Sequence, residues 1–148
     1  MITLFIFKSG FSNFFFTANL IFLIIVFIKP FIRKEMIKIA SKNWDNLYPE
    51  HKEVIEYHLA FNSLKMQSLF ADTTFIKNLN NEEFIKEQFK DIDPYDSTDF
   101  YRWNVRNIGN FAYVCLYYKN QEIQDKCRII LKEYKAWVKE NKEYKKLK

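Results

Sequence analysis

The sequence predicts an all-α protein, a single N-terminal transmembrane helix followed by a small antiparallel helical bundle. Three observations carry that expectation. Twenty consecutive residues, Ser9 to Ile28, bear no charge and stand between Lys8 and Lys29. Downstream, apolar residues recur at helical spacing, first at Val54, Tyr57, Phe61 and Leu64 and later at Phe100, Trp103, Phe111, Val114 and Tyr118. No stretch alternates apolar and polar residues as a half-buried strand does, and no Asn-Gly hairpin turn occurs.

The uncharged run comes first. From Phe14 to Ile28 it is apolar on nearly every helical face, with no polar stripe of the kind a surface helix shows. At ~1.5 Å per residue its length matches a hydrocarbon core of roughly 30 Å. Asn19 is its costliest residue and would mark a helix–helix contact. The continuation Lys29-Pro30-Phe31-Ile32-Arg33-Lys34 has no small-residue cleavage pattern, so the run is expected to be retained. A start at Met36 would omit it. Lys29, Arg33, Lys34, Lys38 and Lys42 follow the run, against Lys8 alone before it. That asymmetry predicts an inner-membrane location with the N-terminus out and the C-terminal domain cytoplasmic. Lys29, Arg33, Lys34 and Lys38 are the expected membrane-surface residues, and membrane lipids an expected partner. Residues 1–42 thus read as anchor and basic juxtamembrane segment, and residues 43–148 as a cytosolic helical domain. Phe31 to Lys42 reads as an amphipathic continuation, with Phe31, Ile32, Met36, Ile39 and Ala40 between the basic residues.

Next, Asp45 to Glu50 reads as a break, with Pro49 at a first-turn position opening a helix that reaches about Phe70. Asn80-x-x-Glu83 is an N-cap pattern before a short helix holding Phe84, Ile85 and Phe89. Asp91 to Asp99 is the clearest loop, rich in Asp, Ser and Pro. A helix then runs from Phe100 to Tyr118, and Lys119-Asn120-Gln121 turns the chain. Ile123, Cys127, Ile130, Leu131, Tyr134, Trp137 and Val138 trace the cleanest amphipathic repeat. The last two helices should pack as an antiparallel hairpin.

Composition excludes several chemistries. Gly10 and Gly109 are the only glycines, too few for phosphate-cradling loops or dinucleotide folds. No cofactor is therefore expected. Cys115 and Cys127 would face reducing cytosol, lack Cys-x-x-Cys spacing and read as small buried hydrophobes. The acidic loop fails the calcium pattern, since an EF-hand starting at Asp91 would need Gly and Glu where Asp96 and Arg102 stand. His51 and His58 are seven apart, not the four of a His-Glu-x-x-His site, so no metal is expected. No serine sits in a nucleophile-elbow context. Residues 43–131 hold ten basic and fourteen acidic residues, so the net +5 of the chain resides at its two ends. That distribution argues against nucleic acid as a partner.

One polar set stands out: Arg102, Arg106 and Asn110 at i, i+4 and i+8, continued by Tyr113 and Tyr117. Two guanidiniums one turn apart would clamp a carboxylate or phosphate, with tyrosines adding donors and stacking area. The competing reading is a solvated face whose arginines are neutralised by Asp99 and its neighbours. Gly109 lies beside the stripe, where close helix packing explains it as well as a binding site does. The stretch Val105-Arg106-Asn107-Ile108-Gly109-Asn110-Phe111 to Lys119, then Ile123 onward, resembles a family of uncharacterised bacterial single-pass proteins. These have an N-terminal anchor and a cytosolic helical domain with an Arg-x-x-x-Asn-Phe-like element. This chain departs from them at Ala112, where they tend to carry an acidic residue. The resemblance implies architecture and no mechanism. With catalytic motifs failing, the expected function is a non-catalytic, membrane-tethered module that engages a protein partner or self-associates. The alternative is an enzyme or ligand-binding domain recognising an anionic group at Arg102 and Arg106.

Overall fold

The computed structural model describes Phe22, Ile24, Val26 and residues 28–141. Among these residues every regular element is helical: α1 (residues 28–42), α2 (Pro49–Leu59), α3 (Leu64–Gln67), α4 (Thr73–Lys77), α5 (Glu82–Phe89), α6 (Val105–Tyr117) and α7 (Gln121–Glu140). Single 3-10 turns stand at Trp44–Asn46, Ser68–Phe70 and Phe100–Arg102. The chain divides into two compact units between Ile37 and Lys38.

The first unit corrects the expected membrane anchor. Among the described residues no helix is long and apolar enough to cross a membrane. The physical reason lies in α1 itself, which carries Lys29, Arg33, Lys34, Glu35, Lys38 and Lys42. A charge at the centre of a span costs about 2.5–3.5 kcal/mol, so a helix so loaded is amphipathic rather than spanning. Residues 9–21, 23, 25 and 27 of the uncharged run lie outside the described residues. The inner-membrane, N-out location rested on a span and is withdrawn with it. The amphipathic continuation after Phe31 is helical as read.

The second unit is built on the α6–α7 hairpin. Asn104 caps α6 reciprocally: its side chain accepts the Arg106 and Asn107 N–H groups, while Asn107 Oδ1 accepts the Asn104 N–H. This cap shortens the expected helix, because Phe100–Arg102 forms a separate turn and Trp103 is extended. Tyr118 closes α6, and Asn120 opens α7 by accepting the Ile123 N–H. The three-residue connection and the contacts of Phe100 and Trp103 with Tyr134 make the pair antiparallel. The expected hairpin is therefore present. Ile108, Phe111, Ala112, Val114 and Cys115 of α6 pack with Cys127, Ile130, Leu131, Tyr134 and Val138 of α7. Each large apolar side chain so buried stabilises the fold by about 1.5–3 kcal/mol.

The other elements lie around this pair. The helix expected from Glu50 to Phe70 breaks at 60–63, where Asn62 Nδ2 donates to the His58 carbonyl and ends α2. Short α3 and the turn Ser68–Phe70 then pack on α6. Asp72 caps α4 by accepting the Thr74 and Phe75 N–H groups at 2.8 and 3.0 Å. Asn81, one residue later than the sequence pattern, caps α5. At the other end of α5, Lys126 Nζ donates to the Phe89 carbonyl at 2.6 Å and satisfies an orphan helix-end acceptor.

Candidate functional site

The structure separates the expected polar stripe into two parts. Arg102 lies in the 3-10 turn before α6 rather than on the helix. Its Nε donates to the Tyr101 hydroxyl at 2.7 Å, and Nη1 meets Asp99 Oδ1 at 3.3 Å. Arg106, Asn110, Tyr113 and Tyr117 do share α6. Arg106 Nη2 donates to Asp45 Oδ2 at 3.4 Å, reaching the turn that carries Trp44. Trp44 in turn meets the Phe70 ring edge-on at 5.3 Å, with Lys52 Nζ 5.6 Å from the indole centroid. Asn110 Oδ1 accepts the Asp72 backbone N–H at 2.8 Å. Tyr113 and Tyr117 continue the face with ring centroids 4.6 Å apart.

Gly109 sits between these polar contacts. A Cβ there would lie 2.4 Å from both Ala71 N and Phe70 C. The backbone of residues 70–71 therefore rests directly on α6, which only glycine allows. Arg106, Gly109 and Asn110 thus act together, with Arg106 holding residue 45, Gly109 admitting residues 70–71 and Asn110 holding residue 72. The Asp72 carboxyl is kept below its ordinary 3.8 chiefly by the Phe75 N–H, with the Thr74 N–H and the Arg106 charge adding to the effect. The stripe's helical half is consequently a clamp on neighbouring segments. Phe111 completes the Arg-x-x-x-Asn-Phe element inside the core. Sequence reasoning missed the clamp's partners Asp45 and Asp72, because sequence separations of 61 and 38 leave no local signal.

The remaining candidates are quickly placed. Asp93 and Asp96 accept the N–H groups of Tyr95 and Thr98, so these acids shape their own loop. His51 and His58 lie on α2 beside Tyr48 and Tyr57, respectively. Among the described residues no three His, Cys, Asp or Glu side chains gather as a metal site. Lys29, Arg33 and Lys34 are exposed on α1 and Lys38 is half-buried. Burial pushes the Tyr134 phenol upward, with Glu56 adding repulsion. No family model, curated protein or solved structure matches the chain.

An apolar surface that sequence reasoning assigned to lipid stands out instead. Phe31 and Met36 are 65% and 64% exposed, and Ile28 and Ile32 about half exposed. At i, i+3, i+4 and i+8 these four residues fall on one side of a 3.6-residue helix. Lys29 and Arg33 border that stripe on one edge and Lys34 on the other.

Proposed function

We propose that the chain is a non-catalytic protein-interaction module whose α1 docks, through Ile28, Phe31, Ile32 and Met36, into an apolar groove with an acidic rim. The observation that carries this reading is the exposure of Ile28, Phe31, Ile32 and Met36, joined by Ile39, along one side of the charged helix α1. Amphipathic helices that engage grooves present anchors at this spacing. Lys29, Arg33 and Lys34 supply the complement to acidic rim groups, which would steer encounter and set register. The Arg102/Arg106 alternative has less support, since each guanidinium already meets a carboxylate and the two stand on different elements.

The test replaces Ile32 and Met36 by Asp in the full-length protein. Complexes formed in intact cells, read as the apparent size of the tagged chain, should collapse to that of the unbound protein. Thermal unfolding should stay unchanged, because both side chains are exposed. A complex surviving the double substitution removes the reading.

A further inference from the structure

We propose that the outer ridge of α7 binds the phosphate backbone of double-helical nucleic acid without reading its sequence. The ridge shares no residue with the α1 stripe and is a second binding surface. Arg128, Lys132, Lys135 and Lys139 stand at i, i+4, i+7 and i+11 of this 20-residue helix. At 3.6 residues per turn they fall within an arc of about 60° and extend over about 16 Å of axis. All four are exposed. The expectation against a nucleic-acid partner rests on counting charges along the chain, and α7 with five basic and four acidic residues looks nearly neutral by that count. A helix sorts charges by face instead. Glu122, Asp125, Glu133 and Glu140 all fall to one side of the ridge, while Lys126 is drawn away to the Phe89 carbonyl.

Two of the cations meet acids at the ridge's edge: Arg128 lies 2.8 Å from Asp125 and Lys132 lies 3.9 Å from Glu133. Their side chains stay 49% and 82% exposed, and ion pairs this open are weak enough for a phosphate to displace. Lys135 Nζ stands 5.7 Å from the Phe61 ring centroid, a contact that leaves its charge uncancelled. One strand of a duplex presents a phosphate about every 3.4 Å of axis, so the ridge spans about five of them. Proteins that hold single strands add aromatic rings on which bases stack. On α7 Tyr134 is buried and Trp137 half-buried, so the ridge offers charge alone. A helix lying on a membrane surface needs apolar side chains beside its cations. Among the described residues, none of the large exposed apolar side chains belongs to α7. Gln121 and Gln124, the amides nearest the ridge, are engaged by the Asp125 carboxylate and the Tyr118 carbonyl. With no free amide to read a base edge, contact is to the backbone and independent of sequence.

The experiment titrates the full-length protein into a fluorescein-labelled DNA duplex of arbitrary sequence and follows anisotropy across a salt series. Four phosphate contacts give a slope of log affinity against log salt of about −3.6, or about a hundredfold loss between 50 and 200 mM. Changing Arg128, Lys132, Lys135 and Lys139 together to Gln should flatten the slope by about that amount. A charge-matched control, with exposed Lys65, Lys77, Lys86 and Lys90 changed to Gln, should keep it. Lys132→Gln alone, at a position too exposed to unfold the chain, should flatten the slope by about 0.9 and keeps the test decisive if the fourfold variant misfolds. A second duplex of unrelated sequence should bind equally. No binding to the duplex, an unchanged slope in the ridge variants, or an equal loss in the control would overturn the proposal. So would tighter binding to the single strand, or ridge-dependent capture by phosphatidylglycerol vesicles without duplex binding.

Discussion

A methyl group at position 109 would strike Ala71 N and Phe70 C at 2.4 Å, well inside any real carbon contact. Alanine is the better helix former by about 1 kcal/mol, so an unconstrained site would gain from Gly109→Ala. Here the opposing atoms are backbone and cannot rotate away, and overpacking of this kind costs about 1–3 kcal/mol or more. Gly109→Ala should therefore lower unfolding free energy in denaturant titrations, and an unchanged or raised value would contradict the close approach. Asp72 gives the second residue-scale prediction. Its folded pKa is depressed, so its contribution is present above the unfolded value of about 3.9 and is lost as pH falls through the folded one. Asp72→Asn keeps a capping acceptor but cannot titrate. Its stability deficit at pH 7 should shrink as pH falls below the unfolded value, as followed by thermal unfolding on the acid side. A pH-independent deficit would show that the charge does not matter. Gly109 and Asn110 were visible in the sequence as a pair of unusual residues. Close packing at Gly109 was one of the two readings offered, but the segment packed there was not visible, because residues 70–72 reach Gly109 and Asn110 only through tertiary packing.

At the scale of elements, caps decide where helices begin. Asn104 satisfies two N–H groups of α6 and receives one bond in return, so Asn104→Ala should cost about 1 kcal/mol and fray the first turn. Amide exchange at Arg106 and Asn107 should rise selectively; uniform change along α6 would point to a global effect instead. The α6–α7 hairpin was legible from its periodicity and from Lys119-Asn120-Gln121. The start of α6 was less so, since Phe100 and Trp103 keep helical spacing while belonging to a turn and an extended link. The same ambiguity hid the break at 60–63, where Phe61 and Leu64 continue the apolar period across a turn in which Asn62 caps the end of α2. Helix α4 lacked any periodic signal, being only five residues long and fixed by the Asp72 cap. Periodicity reports which side chains are buried, while local side-chain bonds to the backbone report where helices stop.

For the whole molecule, charge position outweighs hydropathy in the reading of the N-terminal region. Ser9 to Ile28 looked like a span because it lacks charge. Among the described residues the apolar side chains near it instead alternate with Lys29, Arg33 and Lys34 on an amphipathic α1. Phe100, Trp103, Tyr134 and Trp137 cluster with one another, Phe100 and Tyr134 buried in the core and the two indoles packed against it. The exposed stripe on α1 remains the surface best suited to a partner. The most direct test places a photo-crosslinking amino acid at Ile32 or Met36 of the full-length chain in living cells, with Glu87 as a control position. The account predicts one discrete protein adduct shared by positions 32 and 36, absent at 87, and lost when Lys29, Arg33 and Lys34 are changed to Glu. No adduct at either stripe position, or the same adduct at position 87, would contradict it.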